Sequence, residues 1–364
     1  MSSAKPSRIV FPPRGAFFET LKQRTEQYFQ EAGLRQTGNW RLYLKTLVSV
    51  GLMLGSYVSL VWWVEHWWSA LVAAFLLVQG FVLVAFNVMH DGAHGSYSRK
   101  RWVNFLAGSA MDLLGSSQTL WKQKHNLLHH TYTNIDGKDD DIAIGSLMRL
   151  SPSQPWRPWH RLQHWYAPVL YSMLSLYLLA FSDFHKIITN RIGDTRMQPR
   201  AAWELPWFLA AKLFYFGYAL VIPMLFHPVW QVLLCFVGVH LLFGLTLSLV
   251  FQLAHTVQGA DFPLPDAQSG KLPAEWAELQ VRTTADFAPR SWLATFYMGG
   301  LNFQVEHHLF HKISHIHYPA LRRIVQKTCE EFSVPYLCFP SVRAALRAHF
   351  GFLRSMGQRP QAAV

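Results

Sequence analysis

Histidine carries the chemistry in this chain. Five of its eighteen histidines fall into two tight groups, His90 with His94, and His125 with His129 and His130. A third group, Gln304 with His307 and His308, lies far downstream, and His311, His315 and His317 follow closely. His255 stands just past the end of a long apolar run. Imidazole is the commonest metal-ligating side chain and suits iron, zinc, copper and nickel. Three groups exceed what one ion needs, so the expectation is a two-metal site in a membrane-embedded enzyme.

The spacing supports ligation over chance. His90 and His94 are four apart, which on a helix points both rings the same way. His125 and His129 repeat that spacing, and His130 projects about 100° further round an α-helix. Gln304 and His308 repeat it again. Lone histidines such as His66, His227 and His349 read as ordinary hydrogen-bonded residues. His240, midway along an apolar run, reads as a buried hydrogen-bonded residue.

The donor set narrows the chemistry. Cys235, Cys329 and Cys338 fit no ligand spacing, which disfavours structural zinc. His-Glu-x-x-His is absent, so the zincin pattern fails. Glu-x-x-His is absent too, so the carboxylate di-iron bundle fails. An imidazole-dominated site leaves an electron-deficient metal, suited to oxygen activation and attack on an unactivated C–H bond.

Positioning such groups falls to apolar helices. Charged residues make up 15% of the chain, well below the roughly 25% of soluble domains. The net charge of +12 suggests nucleic acid at first sight. Yet residues 51–98 hold no Lys or Arg, and residues 201–270 hold only Lys212. The charge sits in connecting segments, as in a polytopic membrane protein, and no nucleic-acid partner is expected.

The expected architecture is all-α, with spans at about 46–64, 69–89, 205–226 and 229–253. The short links at Glu65-His66 and His227-Pro228 make two hairpins. The run 166–183 is read as in-plane or re-entrant, because both its flanks are basic and a shared site needs every histidine group on one side. Residues 90–204 and 254–364 then form a cytosolic cap, with both termini cytosolic. Residues 1–45 form an N-terminal segment whose helix, near 16–30, is expected on the membrane surface. No signal peptide is visible in it. Residues 46–350 form one domain, and 351–364 a C-terminal tail that is expected to be loose after 355.

At these residues the chain resembles the membrane fatty acid desaturase family, over roughly residues 85–350. The likeness includes the three histidine groups, Thr131-Tyr132-Thr133-Asn134, Asp139-Asp140-Asp141, Gly299-Gly300-Leu301-Asn302-Phe303 and Ser314 to Pro319. Gln304 in place of a first histidine resembles the subgroup with front-end and many bacterial acyl desaturases. The resemblance implies two non-haem iron ions and dioxygen as co-substrate. Its implied ligands are His90, His94, His125, His129, His130, His255, His307 and His308, with Gln304 at or near the metal. Asp91 and Glu306 are expected to accept ring N–H groups, with His315 nearby. His311 stands where the family usually has proline, and is read as a cap residue.

The implied reaction removes two hydrogens from adjacent methylenes of an acyl-lipid or acyl-CoA. A separate ferredoxin-type or cytochrome-type donor is implied, steered by Lys122, Lys124, Arg157 and Arg161. The expected location is a bacterial inner membrane, or the endoplasmic reticulum if the source is eukaryotic, with the site facing the cytosol. A hydroxylase or oxygenase of acyl chains, alkanes or carotenoids would use the same ligand groups. A metal transporter is the alternative of another class, disfavoured because transport sites lie near the bilayer midplane. A bis-histidine haem carrier would need facing histidines within the spans, which these lack.

Overall fold

The computed structural model describes residues 9–360, which are mostly helical. Helix α1 (Ala16–Glu31) precedes two long helices, α2 (Trp40–Trp63) and α3 (Trp67–His94). After α4 (Arg101–Gly108) comes a π-helical stretch, Lys122–His129. Helices α5 (Pro158–Ser172) and α6 (Leu174–Thr189) form a pair bent by 55°. Helices α7 (Glu204–Met224) and α8 (Val229–His255) are again long and apolar. Shorter helices follow: α9 (Trp276–Arg282), α10 (Gln304–Leu309), α11 (Tyr318–Glu331) and α12 (Val342–Met356).

Four helices, α2, α3, α7 and α8, are long and apolar enough to cross a membrane, and the bent pair would make a fifth if it were one span. Helix α2 starts at Trp40, earlier than the expected 46, because the Asn39 side chain caps it by accepting from Arg41 N at 2.9 Å. Hydropathy finds the apolar stretch and not the cap. Large side chains lie bare along these helices, such as Leu47 at 70% and Leu213 at 75% exposure. Such a surface is a liability in water and neutral in hydrocarbon.

Helix α3 is the interior one. Its residues Phe81 to Met89 are buried, and it packs on α2 and on α8, with Phe81 edge-on to Phe243 at 5.6 Å. Its last turn carries His90 and His94. Gly92 lets α4 approach there, since a Cβ at Gly92 would sit 2.4 Å from Gly108 N.

Two buried polar residues of the apolar region, Lys212 and His240, are well partnered. Lys212 Nζ donates to Asp183 Oδ2 at 2.9 Å and to Gly115 O at 2.7 Å, tying α7 to α6. Such a pair stabilises little by itself, but removing one partner strands a buried charge. His240, as expected, is hydrogen-bonded, to Tyr215 Oη at 2.5 Å and Ser175 Oγ at 3.0 Å.

Three expectations need correcting. The all-α reading missed two small sheets. Strand β1 (Arg191–Ile192) runs antiparallel to β2 (Thr195–Arg196), with Arg191 opposite Arg196. Strand β3 (Ala285–Phe287) runs parallel to β4 (Leu337–Phe339), with Ala285 opposite Leu337. Strands this short carry no readable period. Helix α1 forms, but its face of Phe17, Leu21 and Phe29 is buried, and it packs on α11 instead of on lipid. Amphipathic periodicity reports an apolar face without naming what covers it. The start of the stretch after 355 is held rather than loose: α12 runs to Met356, and Trp156 Nε1 donates to Gly357 O at 2.8 Å. Residues 1–8 and 361–364 lie outside the described residues.

Candidate metal centre

Each histidine group reaches the centre on a different element. His90 and His94 close α3, and His255 is the last residue of α8. His125 and His129 lie in the π-helical stretch, with His130 just after it. Gln304, His307 and His308 lie on α10, which is buried throughout. Helices of opposite ends of the sequence therefore deliver imidazoles to one volume.

The ring nitrogens form overlapping sets. One nitrogen from each of His90, His94, His125 and His307 lies within 4.8 Å of the others, as does a second set of His129, His255 and His308. His130, His307 and His308 make a third set that joins the two. The π-helical stretch makes this division possible. Its i→i+5 winding brings His125 Nε2 within 3.2 Å of His130 Nε2. His129 turns instead toward His255 and His308, at ring separations of 4.7 and 5.0 Å. The four-residue spacing still keeps His125 and His129 adjacent, with their rings stacked at 5.2 Å, and together with Asp141 they make a fourth set.

Neighbours fix which nitrogen faces inward. His129 Nδ1 donates to both Asp139 oxygens at 3.1 Å. His308 Nδ1 donates to Gln280 Oε1 at 2.8 Å, and His255 Nδ1 to Thr283 O at 3.3 Å. His307 Nδ1 meets Tyr318 Oη at 3.2 Å. Each contact holds a ring by Nδ1 and leaves Nε2 free, the arrangement that orients metal-ligating imidazoles. Thr133 Oγ1 braces the set by donating to Gln280 Oε1 at 3.0 Å. Asn134 spans it by donating to the carbonyls of His255 and Thr283, at 3.0 and 3.2 Å.

Electrostatics keep the inward rings neutral. Burial, then neighbouring imidazoles, push His125, His130, His307 and His308 well below the ordinary histidine value. For His129 burial also lowers the value, but the Asp139 and Asp141 carboxylates outweigh it and the net shift is upward. Both nitrogens of His90 and His94, Nδ1 of His130, and Nε2 of His307 and His308 are buried with no hydrogen-bond partner. Orphaned polar atoms at this density are costly in a protein interior unless something satisfies them. A bound cation would do so, and an all-imidazole set with few carboxylates fits a first-row transition metal.

The acids sit differently from the expectation. Asp91 accepts from Ser314 Oγ at 2.6 Å and pairs with His315 Nδ1 at 3.0 Å. His315 is in turn held by Lys45 Nζ at 2.9 Å, so this unit braces the end of α3 from behind. Tyr336 Oη lies 3.1 Å from Glu306 Oε1 and donates its one hydrogen to Asp286 Oδ2 at 2.5 Å. Burial and the Asp286 carboxylate push Glu306 well above the carboxylate range. Neither Asp91 nor Glu306 receives a hydrogen bond from a ring of the clusters, because Asp91 is taken by Ser314 and His315 and Glu306 faces Tyr336. The acceptors that do so are Asp139, Gln280 and Thr283. Asp139 belonged to a noted acidic run; Gln280 and Thr283 lie in a segment with no sequence signal.

Gln304 is buried, and its Oε1 has no hydrogen-bond partner. His311 is not remote: its ring lies 4.8 Å from His130 and 5.3 Å from His94, at the rim. His317 packs edge-on to Phe29 at 5.0 Å, away from the clusters. His349 is buried and bonded to Thr256 O at 2.7 Å, and His227 to Val61 O at 2.8 Å, as the bland reading expects. Lys124 is paired with Asp141 at 2.6 Å.

Comparison with known proteins adds independent findings. A family model described as fatty acid desaturase matches residues 65–340. The sn-1 linoleoyl-lipid 6-desaturase of Arthrospira platensis is 36% identical, covering 98% of this chain and 96% of its own length. Its counterpart from Synechocystis is 35% identical, covering 96% and 98%. The acyl-lipid (8-3)-desaturase of Physcomitrium patens is 38% identical, covering 94% of this chain and 72% of its own length.

Proposed function

This chain belongs to the fatty acid desaturase family, and we propose that it desaturates the acyl chains of intact membrane lipids through a di-iron centre. It is an integral membrane oxidoreductase that places a double bond in a fatty acyl chain. The substrate reading rests on its relatives, which act on linoleoyl or other acyl groups held in lipids. Linoleoyl-lipid, desaturated at position 6, is the substrate we assign.

The observation that carries the metal assignment is the buried, unpartnered imidazole nitrogens converging from α3, the π-helical stretch, α8 and α10. His90, His94, His125 and His307 would hold one iron, and His129, His255 and His308 the other, with His130 between them. Bound iron supplies the activation of dioxygen needed to break an unactivated C–H bond. Overall, one dioxygen accepts two hydrogens from adjacent methylenes plus two electrons and two protons, leaving a double bond and two waters. The chain's residues orient and shield. Asp139, Gln280, Thr283 and Tyr318 fix the rings, and Trp121 stacks on His125 at 4.2 Å. The electrons come from a separate ferredoxin-type or cytochrome-type protein.

Expression in a host that makes linoleoyl lipids but no 6-desaturated products tests the function. Mass spectrometry of the lipids is expected to show a new double bond at position 6. A hydroxylated acyl product would replace desaturation by hydroxylation, and a double bond only elsewhere would remove the positional assignment.

We place the metal centre and both termini in the cytosol, with the α2–α3 and α7–α8 turns on the far side. The parity argument is supported by contacts on either flank of the bent pair. Lys186 Nζ lies 3.6 Å from Asp140 Oδ2, and Gln198 N donates to Gln123 Oε1 at 2.9 Å. Segments before and after α5–α6 thus share one side, which suits a re-entrant pair. Cysteine introduced at Asn190 is expected to label from the cytosolic face and cysteine at His227 from the other. Labelling of both from one side would overturn the arrangement.

Gln304 would offer its Oε1 to the metal or to a metal-bound water, as a weaker donor than imidazole. Gln304→Ala is expected to lower activity strongly, and Gln304→His to retain part of it. Full turnover and full iron in Gln304→Ala would place this residue outside the centre.

A further inference from the structure

A second polar feature lies away from the histidines, where α5 meets the end of α12. A cavity of about 540 Å³ there is lined by Arg161, His164, Trp165, Arg354, Gln358 and Arg359, with Gly357 at its floor. Three guanidinium groups thus share one hollow that no carboxylate lines. None of the three forms an ion pair among the described residues.

The hollow is built and not a chance gap between loose segments. Gln163 Nε2 donates to Leu353 O at 2.8 Å, Arg149 to Met356 O at 3.1 Å, and Trp156 Nε1 to Gly357 O at 2.8 Å. These bonds take up the carbonyls at the end of α12, so Arg354 and Arg359 are not needed as helix caps. Gly357 permits the seam, because a Cβ there would lie 2.4 Å from His160 O. Arg161 lies over the Trp156 ring at 5.4 Å, which orients its guanidinium.

One wall of the hollow continues into a lipid-facing stripe. Leu162, Trp165 and Val169 are 60%, 74% and 62% exposed, and Met173 continues the same helical face across the bend. Charge above and bare apolar surface below is the profile of a headgroup-level position, where Trp concentrates. Arginine's planar fork matches phosphate oxygens. We propose that this hollow binds the phosphodiester of an anionic phospholipid, with its acyl chains lying along Leu162, Trp165, Val169 and Met173. An acidic electron donor would be drawn by the charge alone but has no use for the apolar stripe.

Native mass spectrometry of the full-length protein, with phosphatidylglycerol or phosphatidylcholine of matched chains, tests this without reference to turnover. The wild-type protein is expected to retain one phosphatidylglycerol in preference to phosphatidylcholine. Replacing Arg161, Arg354 and Arg359 by Gln is expected to weaken that retention by on the order of 100-fold, since each basic group near an anionic surface contributes roughly five-fold. All three side chains are exposed, so the variant should fold, and an unchanged melting profile checks it. Equal phosphatidylglycerol retention by variant and wild type would overturn the proposal. So would displacement of the lipid by an excess of inorganic phosphate, which would make this a free-anion site. Unchanged lipid retention with slower reduction by the electron donor would assign the surface to that protein instead.

Discussion

Substituting His308 by alanine is expected to abolish desaturation and strip iron from the protein. His308 belongs to two of the converging sets, with His129 and His255 and with His130 and His307. Its Nε2 is buried without a partner while Gln280 holds its Nδ1. Loss of an outer partner of a metal ligand typically costs about 10–100-fold in affinity or activity. Loss of the imidazole itself should exceed that range. The cavity left by alanine also leaves Gln280 Oε1 without its ring donor, although Thr133 still donates to it. Elemental analysis should fall well below two irons per chain, and lipid profiling should show no product above background. Substantial turnover with iron retained in His308→Ala would remove this residue, and with it the second set, from the centre.

The next largest effect is expected at a residue that touches no metal. Asp139 is fully buried and accepts from three N–H groups, all within ten residues of it. His129 Nδ1 reaches both oxygens, Asn134 N reaches Oδ2 at 2.9 Å, and Asp141 N reaches Oδ1 at 3.0 Å. Asp139→Asn keeps the shape but swaps one acceptor for a donor, so one backbone N–H or the His129 N–H faces an amide hydrogen. The negative charge that raises His129 basicity is lost as well. Iron affinity and turnover are expected to fall about 10–100-fold, with the protein still folded. Chelator competition on purified protein reads the affinity directly. Iron retention equal to the wild type would mean that Asp139 serves only the loop it caps.

Much of this was legible in the primary structure. Hydropathy reports the number of long apolar helices, because a bilayer demands about twenty apolar residues per crossing and tolerates little else. Histidine spacing marked the groups, because four-residue repeats are rare by chance and have a clear geometric meaning on a helix. What the spacing could not say is how each group divides. A π-helical stretch looks like any other helix in sequence, yet its wider turn is what brings His125 Nε2 to 3.2 Å from His130 Nε2.

The supporting shell was invisible for a different reason. Asp91 and Glu306 adjoin the histidines in sequence but meet Ser314 and Tyr336 instead. Gln280 and Thr283 lie far from any group in sequence and reach the rings only when α9 and the end of α8 pack against α10 and the Thr133 loop. The same holds for α1: its sequence specifies an apolar face, and packing on α11 decides what covers it. Residue type and local spacing determine which side chains can bind a metal. Which nitrogen each one presents, and to which partner, is fixed by contacts between segments far apart in the chain, and those exist only in the folded protein.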